Sequence, residues 1–239
     1  AKSHGWDEGN KLTDALFSHF AHDYQEVRKA VCETLVEWEW TWLRPSLKSV
    51  PELLAHSRSA HGSLLAHSDV MRQRCEALQK QLRSWRAQRQ PLAYGTSKYD
   101  VVASTGALWV CLCLDDHRLG PMSTYVLSLV PDLFEAFQLR DNEELSETAH
   151  DVLVQVASHP FSVAQVPVLL EALLDILRRS ESWHSRLDAL PLLQIVYFQN
   201  LYLLSHDMKR CILDVLCSLL HDPHVEVRDM AATTIAGIV

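Results

Sequence analysis

Apolar residues recur with helical spacing from one end of the chain to the other, and the densest run is Ser182–Leu204. At about 100° per residue, Leu187, Leu190, Gln194, Tyr197 and Leu201 share one stripe, and Ala189, Leu193, Val196 and Asn200 share another. Ile195, Phe198 and Tyr202 form a third, so the run reads as a helix that is apolar nearly all round and buried between layers. Asn200 then sits among apolar neighbours, where its amide must find partners or cost roughly 1–3 kcal/mol. The same periodicity predicts helices at Leu12–Ala21, Tyr24–Arg44, Asp69–Gln90, Val101–Leu114, Met122–Phe137, Glu143–Ser158, Val163–Arg179, Asp207–His221 and His224–Val239. The stretch Ser49–Ser68 reads as a loop or short helix. Pro45 is expected to close the second helix, and Pro131 and Pro167 to bend or interrupt theirs. Short polar links imply antiparallel neighbours, about eleven helices in all, an all-α array.

Composition narrows this picture. The 239 residues are 48% apolar, which argues against disorder, and only 7 are Gly, which argues against an all-β fold. A net charge of −8 excludes broad nucleic-acid binding. The six cysteines, at positions 32, 75, 111, 113, 211 and 217, show no framework spacing and mostly fall in apolar runs. They read as reduced thiols of a nuclear or cytoplasmic protein. No apolar run reaches membrane-spanning length, and no membrane partner is expected.

Candidate chemistry is sparse. His56, His61 and His67 are spaced by five and six and do not share a helical face, and Cys111 and Cys113 point apart on a helix. Neither those groups nor the following Asp115, Asp116 and His117 make a metal site, so no metal or cofactor is expected. Gly95–Lys98 lacks the preceding glycine and strand of a phosphate loop, and no catalytic motif is present, so the chain is read as not an enzyme. Trp38, Trp40 and Trp42 are assigned to two-sided packing rather than to a surface platform. One helix is locally basic: Arg72, Arg74, Lys80, Arg83, Arg86 and Arg89 are opposed only by Glu76. It reads as a solvated face over a stripe of Met71, Cys75, Leu78, Leu82 and Trp85, with binding of a polyanion as the alternative.

Asp222-Pro223 followed by Val227, Arg228, Ala231 and Ala232 resembles the inner helix of a HEAT repeat, and Asp23, Val27, Arg28 and Ala30 repeat the pattern. In such repeats Asp and Arg of successive units commonly pair along the stack, so the chain reads as one HEAT-like α-solenoid segment over 1–239. Neither end shows the polar face of a solenoid cap, and the chain is expected to be a piece of a longer protein. A more specific resemblance lies in 182–239. Leu190, Leu193, Gln194, Phe198, Asn200, Leu201 and Tyr202, followed by Leu220, Asp222, Glu226, Val227, Arg228 and Met230–Thr234, are similar to the C-terminal part of the proteasome activator subunit 4 family. That resemblance implies a long solenoid that caps the 20S proteasome core without using ATP and anchors through a C-terminal tail not present here. It also implies a bromodomain-like region over 182–239 that recognises acetylated histones, and inositol phosphates held in basic openings. Mapped onto this chain, an acetyl-lysine site would take Asn200 as amide donor with Tyr197, Phe198 and Tyr202 as walls, and an inositol phosphate would take the basic helix. The competing expectation is that Asn200 satisfies a backbone carbonyl inside the stack.

Overall fold

The computed structural model describes residues 4–47, 69, 71–89, 97–115 and 120–238; within these, side chains are not described for 4–10, 39–47 and 115–124. The described residues are helical, with no strand. His56, His61 and His67, positions 95 and 96 of the Gly95–Lys98 stretch and the Asp116-His117 pair lie outside the described residues, and Trp40 and Trp42 lie where only the backbone is described. Two compact units divide the chain, Ala1–Leu129 and Val130–Val239.

The first unit holds α1 (His4–Ser18), a 3-10 turn (His19–Ala21), α2 (Gln25–Leu47), α3 (71–88), α4 (Lys98–Asp115) and a 3-10 segment (Gly120–Leu129). Its centre is Trp109, fully buried on α4. Phe17 and Phe20 meet its ring edge-on at 5.3 and 5.8 Å between centroids, and Tyr125 stacks at 6.3 Å. The basic helix buries Met71, Cys75, Leu78 and Leu82, with Trp85 half-buried, which is the stripe its spacing predicts. α4 starts at a reciprocal cap: Ser97 Oγ accepts from the Asp100 amide at 3.1 Å, and Asp100 Oδ2 accepts from the Ser97 amide at 3.4 Å. Contrary to expectation, α2 does not stop at Pro45 but runs to Leu47. Pro45 falls in the last turn, where its missing N–H removes a single ladder bond and leaves no further helix to break.

Burial sorts the thiols. Cys32 and Cys75 are fully buried, and desolvation pushes the Cys32 thiol up to about 12, against a smaller lowering by Arg28. Cys217 is exposed. Maleimide labelling of the native protein, mapped by mass spectrometry, is expected to modify Cys217 and to spare Cys32 and Cys75 until denaturant is added.

The second unit is built from α5 (Val130–Phe137), α6 (Glu143–Ser158), α7 (Gln165–Arg179), α8 (Trp183–Gln199), α9 (His206–Leu219) and α10 (Val225–Ile238). Successive helices pair as α5 with α6, α7 with α8 and α9 with α10. Contacts also run α5–α7–α9 and α6–α8–α10. The odd and even helices therefore form two parallel layers of a stack, an α-solenoid arrangement. Each helix contributes one apolar stripe to the space between layers, such as Leu169, Leu173 and Leu177 of α7 and Ala189, Leu193 and Val196 of α8. Local chemistry sets the starts. Asn142, Ser182 and Ser205 accept from the amides of Leu145, Ser185 and Met208. Pro131 and Pro167 sit in first turns, where an N–H is not needed. Hence the predicted helix Met122–Phe137 is a 3-10 segment that becomes α-helix at Val130.

Candidate functional site

Asn200 ends α8. The helix stops at Gln199, five residues short of the predicted Leu204, and residues 200–203 form turns. The reason is local hydrogen bonding: the Asn200 side-chain amide donates to the Val196 carbonyl at 2.9 Å, and its backbone N–H donates to the same oxygen at 3.1 Å. The Asn200 carbonyl then accepts from Leu203 and Leu204 at 2.8 and 3.2 Å, which closes the turn. An Asn side chain that competes for the ladder in this way favours helix ends over interiors. Asn200 is 3% exposed, as the stripe Ala189, Leu193, Val196 and Asn200 predicts.

The expectation that α8 is buried on all sides is corrected by its third stripe. Ile195 is 36% exposed, Phe198 49% and Tyr202 99%. Three helices, α6, α7 and α10, pack on α8 and leave this edge uncovered within the unit. Tyr197 is buried and meets Phe198 edge-on at 5.4 Å. Of the four residues considered for acetyl-lysine, the structure brings Tyr197 and Phe198 together, engages the Asn200 amide with Val196, and turns Tyr202 into solvent.

The basic helix is divided among partners. Arg72 pairs with Asp69 at 2.7 Å, and Arg74 pairs with Asp14 on α1. Arg89 is buried in a two-point pair with Asp100, at 2.7 and 3.2 Å, and Arg86 lies over the Tyr99 ring at 5.6 Å. Lys80 and Arg83 are exposed. Burial pushes the Asp100 carboxyl up, but the hydrogen bonds from Arg89 and Ser97 and the Arg89 charge outweigh it and hold the group below the ordinary carboxylate value. The six cations therefore do not converge on one point.

The most connected polar cluster in the second unit lies at the start of α8. Arg186 Nε and Nη2 donate to the two carboxylate oxygens of Asp222 at 2.8 and 3.2 Å, with both side chains nearly buried. Arg186 Nη1 also donates to the Ser180 carbonyl at 2.6 Å. Asp222 Oδ1 accepts from the His224 amide at 2.9 Å, so one carboxylate caps α10 and ties it to α8. Burial raises the Asp222 carboxyl, yet these donors and the Arg186 charge outweigh it and leave the group lowered. Beside the pair, Trp183 is sandwiched between the rings of His184 and His224, at 3.7 and 5.2 Å. Arg228, the expected ladder partner, donates instead to the Asp222 and Pro223 carbonyls at 2.8 and 3.1 Å. Arg28 does the same to the His22 and Asp23 carbonyls at 2.7 and 3.1 Å. Sequence reasoning missed Arg186 because nothing in the local pattern links two residues 36 positions apart. Among the described residues no three His, Cys, Asp or Glu side chains come together as a metal would require.

Comparison with known proteins shows what parts of this chain are similar to. The HEAT repeat model matches residues 212–239, which include most of α9 and all of α10. Proteasome activator complex subunit 4A of Danio rerio is 37% identical over 117 residues, 46% of this chain. Proteasome activator complex subunit 4 of Homo sapiens is 33% identical over 123 residues, 48% of this chain, and that of Xenopus laevis 32% over 123 residues. About half of this chain is similar to proteasome activator subunit 4 proteins. The matched stretch spans 6% of the length of each of these relatives. The HEAT match begins inside α9, and the Asp222 that opens α10 lies within it, so the Arg186–Asp222 pair ties the matched repeat to the preceding helix pair.

Proposed function

We propose that this chain is a segment of the helical-repeat wall of a proteasome activator, a regulatory rather than enzymatic element that acts on the 20S core without ATP. The relationship to subunit 4 proteins across about half the chain carries this reading. The two-layer stack supports it, because a wall of repeats needs helices that bury their stripes against neighbours on either side. The test is a chimaera in which the aligned 117-residue stretch of the zebrafish subunit 4A is replaced by that of this chain. The chimaera is expected to associate with the 20S core and to stimulate fluorogenic-peptide hydrolysis as its parent does. A folded, soluble chimaera that leaves hydrolysis at the level of the core alone would show the reading to be wrong.

Within that wall, Asn200 is read as a helix cap and not as an acetyl-lysine donor. Its amide already donates to the Val196 carbonyl, and at 3% exposure its second N–H is not open to an acetyl oxygen arriving from solvent. Titration calorimetry with acetylated and plain histone-tail peptides is expected to give equal heats. Asn200→Ala is expected to cost about 1 kcal/mol of stability by loss of the cap bond. Acetyl-dependent heat that disappears in Asn200→Ala would reverse the assignment.

A further inference from the structure

A cleft of about 340 Å³ opens in the first unit between α1, α3 and the start of α4. Its size falls in the range of small-molecule sites. One wall is the α1 face that carries Asp14, Phe17 and Ser18 and continues to Ala21. The other is a single stripe of α3, from Arg74 through Leu78 and Gln81 to Trp85. Eleven residues of helix rise place Arg74 and Trp85 about 16 Å apart, so the cleft is elongated. Phe20, Leu78 and Val102 give it a buried apolar floor, and the half-buried rings of Phe17 and Trp85 border it.

The two ends differ in charge. At one, Arg74 is paired with Asp14, and its buried Nε has no acceptor among the described residues. At the other, the Lys98 ammonium lies 4.6 Å from the centre of the Trp85 ring, with no carboxylate among the cleft residues on that side. The lining therefore carries two cations and one anion, a local surplus of one positive charge in a chain of net charge −8. An apolar floor with one surplus cation selects an amphipathic anion of single charge. A polyphosphate would meet Asp14 and would leave most of its charge against hydrocarbon.

We propose that this cleft binds an extended apolar monocarboxylate, with the carboxylate at Lys98 and the chain laid over Leu78 and Phe20 towards Arg74. The buried Nε of Arg74 offers a donor to a carbonyl at the far end. Two sources share this chemistry, a free acyl chain and the C-terminus of a peptide with apolar residues, and they are separated by the choice of probe.

The test is titration calorimetry of the whole 239-residue chain with octanoate and with acetyl-Leu-Phe. The neutral controls are octanamide and the C-terminal amide of the same dipeptide. At least one carboxylate is expected to bind about fivefold or more tightly than its amide, the scale of a partly exposed ion pair. Tighter binding of octanoate names an acyl chain, and tighter binding of the dipeptide names a peptide terminus. Lys98→Gln, at an exposed position, is expected to remove the preference for the carboxylate. Ala77→Phe, which adds a ring at an exposed α3 position on the cleft wall, is expected to weaken binding about tenfold or more while the circular dichroism stays native. The proposal is overturned if neither carboxylate binds the folded chain, or if binding is unchanged in both variants. It is equally overturned if the amides bind as tightly as the acids, or if inositol hexakisphosphate displaces them at physiological salt.

Discussion

Asp222→Ala is expected to lower the stability of the Val130–Val239 unit by about 3–5 kcal/mol, the cost of leaving a buried cation without its partner. The substitution strands Arg186, which keeps only the Ser180 carbonyl, and it also deletes the acceptor for the His224 amide at the start of α10. Urea unfolding followed by far-ultraviolet circular dichroism measures the loss. Replacing both partners with apolar residues, Arg186→Met with Asp222→Leu, is expected to recover a large part of it, because no charge is then left buried. The pH dependence has a fixed sign. The folded-state value of Asp222 is lowered, so its stabilisation is complete above the unfolded carboxylate value of about 3.9 and fades as the pH falls through the folded value. The gap between the natural chain and Asp222→Ala should therefore narrow in strong acid. Asp100 acts in the same sense in the first unit. Asp188 acts in the opposite sense: burial outweighs the Gln138 hydrogen bond and the His184 and His150 charges, and its value is raised. Its ionised form opposes folding, and protonation as the pH falls returns that stability. A gap between natural chain and variant that stayed constant from neutral pH to about pH 2 would contradict this assignment.

Trp109→Ala is expected to cost the first unit about 3–5 kcal/mol, at the upper end for a core truncation. Its indole is fully buried and is the common contact of Phe17, Phe20 and Tyr125, so these rings cannot all close on the cavity at once. Trp109→Phe separates packing from polarity. The indole N–H has no acceptor among the described residues, so phenylalanine removes an unmet donor while keeping most of the ring volume, and the cost should fall below about 1.5 kcal/mol. Equal losses for the two variants, measured by urea unfolding, would show that a hidden partner of the N–H governs the site.

Helix positions were legible wherever a cap and an amphipathic stripe agreed. Glu143–Ser158 is such a case, with Asn142 as its cap and Pro160 just beyond its end. The Met71–Leu82 stripe is another, since its spacing alone separates the buried side from the cationic one. The end of α8 was not legible. Leu201 to Leu204 continue the apolar pattern, and only the pull of the Asn200 amide on Val196 shows that the chain has already turned. The exposure of Ile195 and Phe198 was hidden for a related reason, because a pattern records which residues are apolar and not which side lacks a neighbour. For the candidate sites the divide is between local and distant chemistry. Asp222 could be read as a cap from the residues after it, whereas its bond to Arg186 exists only once α8 and α10 are side by side. The basic run looked continuous because its counter-ions Asp14 and Asp100 lie on other helices.

The alternation of layers in the second unit has a consequence for how it forms. Each helix meets its pair partner and the helices two places away, so the loops that must close are short and each closure is followed at once by burial. Such a chain does not wait for its two ends to find each other. Any of the pairs α5–α6, α7–α8 and α9–α10 can serve as a nucleus from which order spreads to its neighbours, and the segment can become native as it emerges during synthesis.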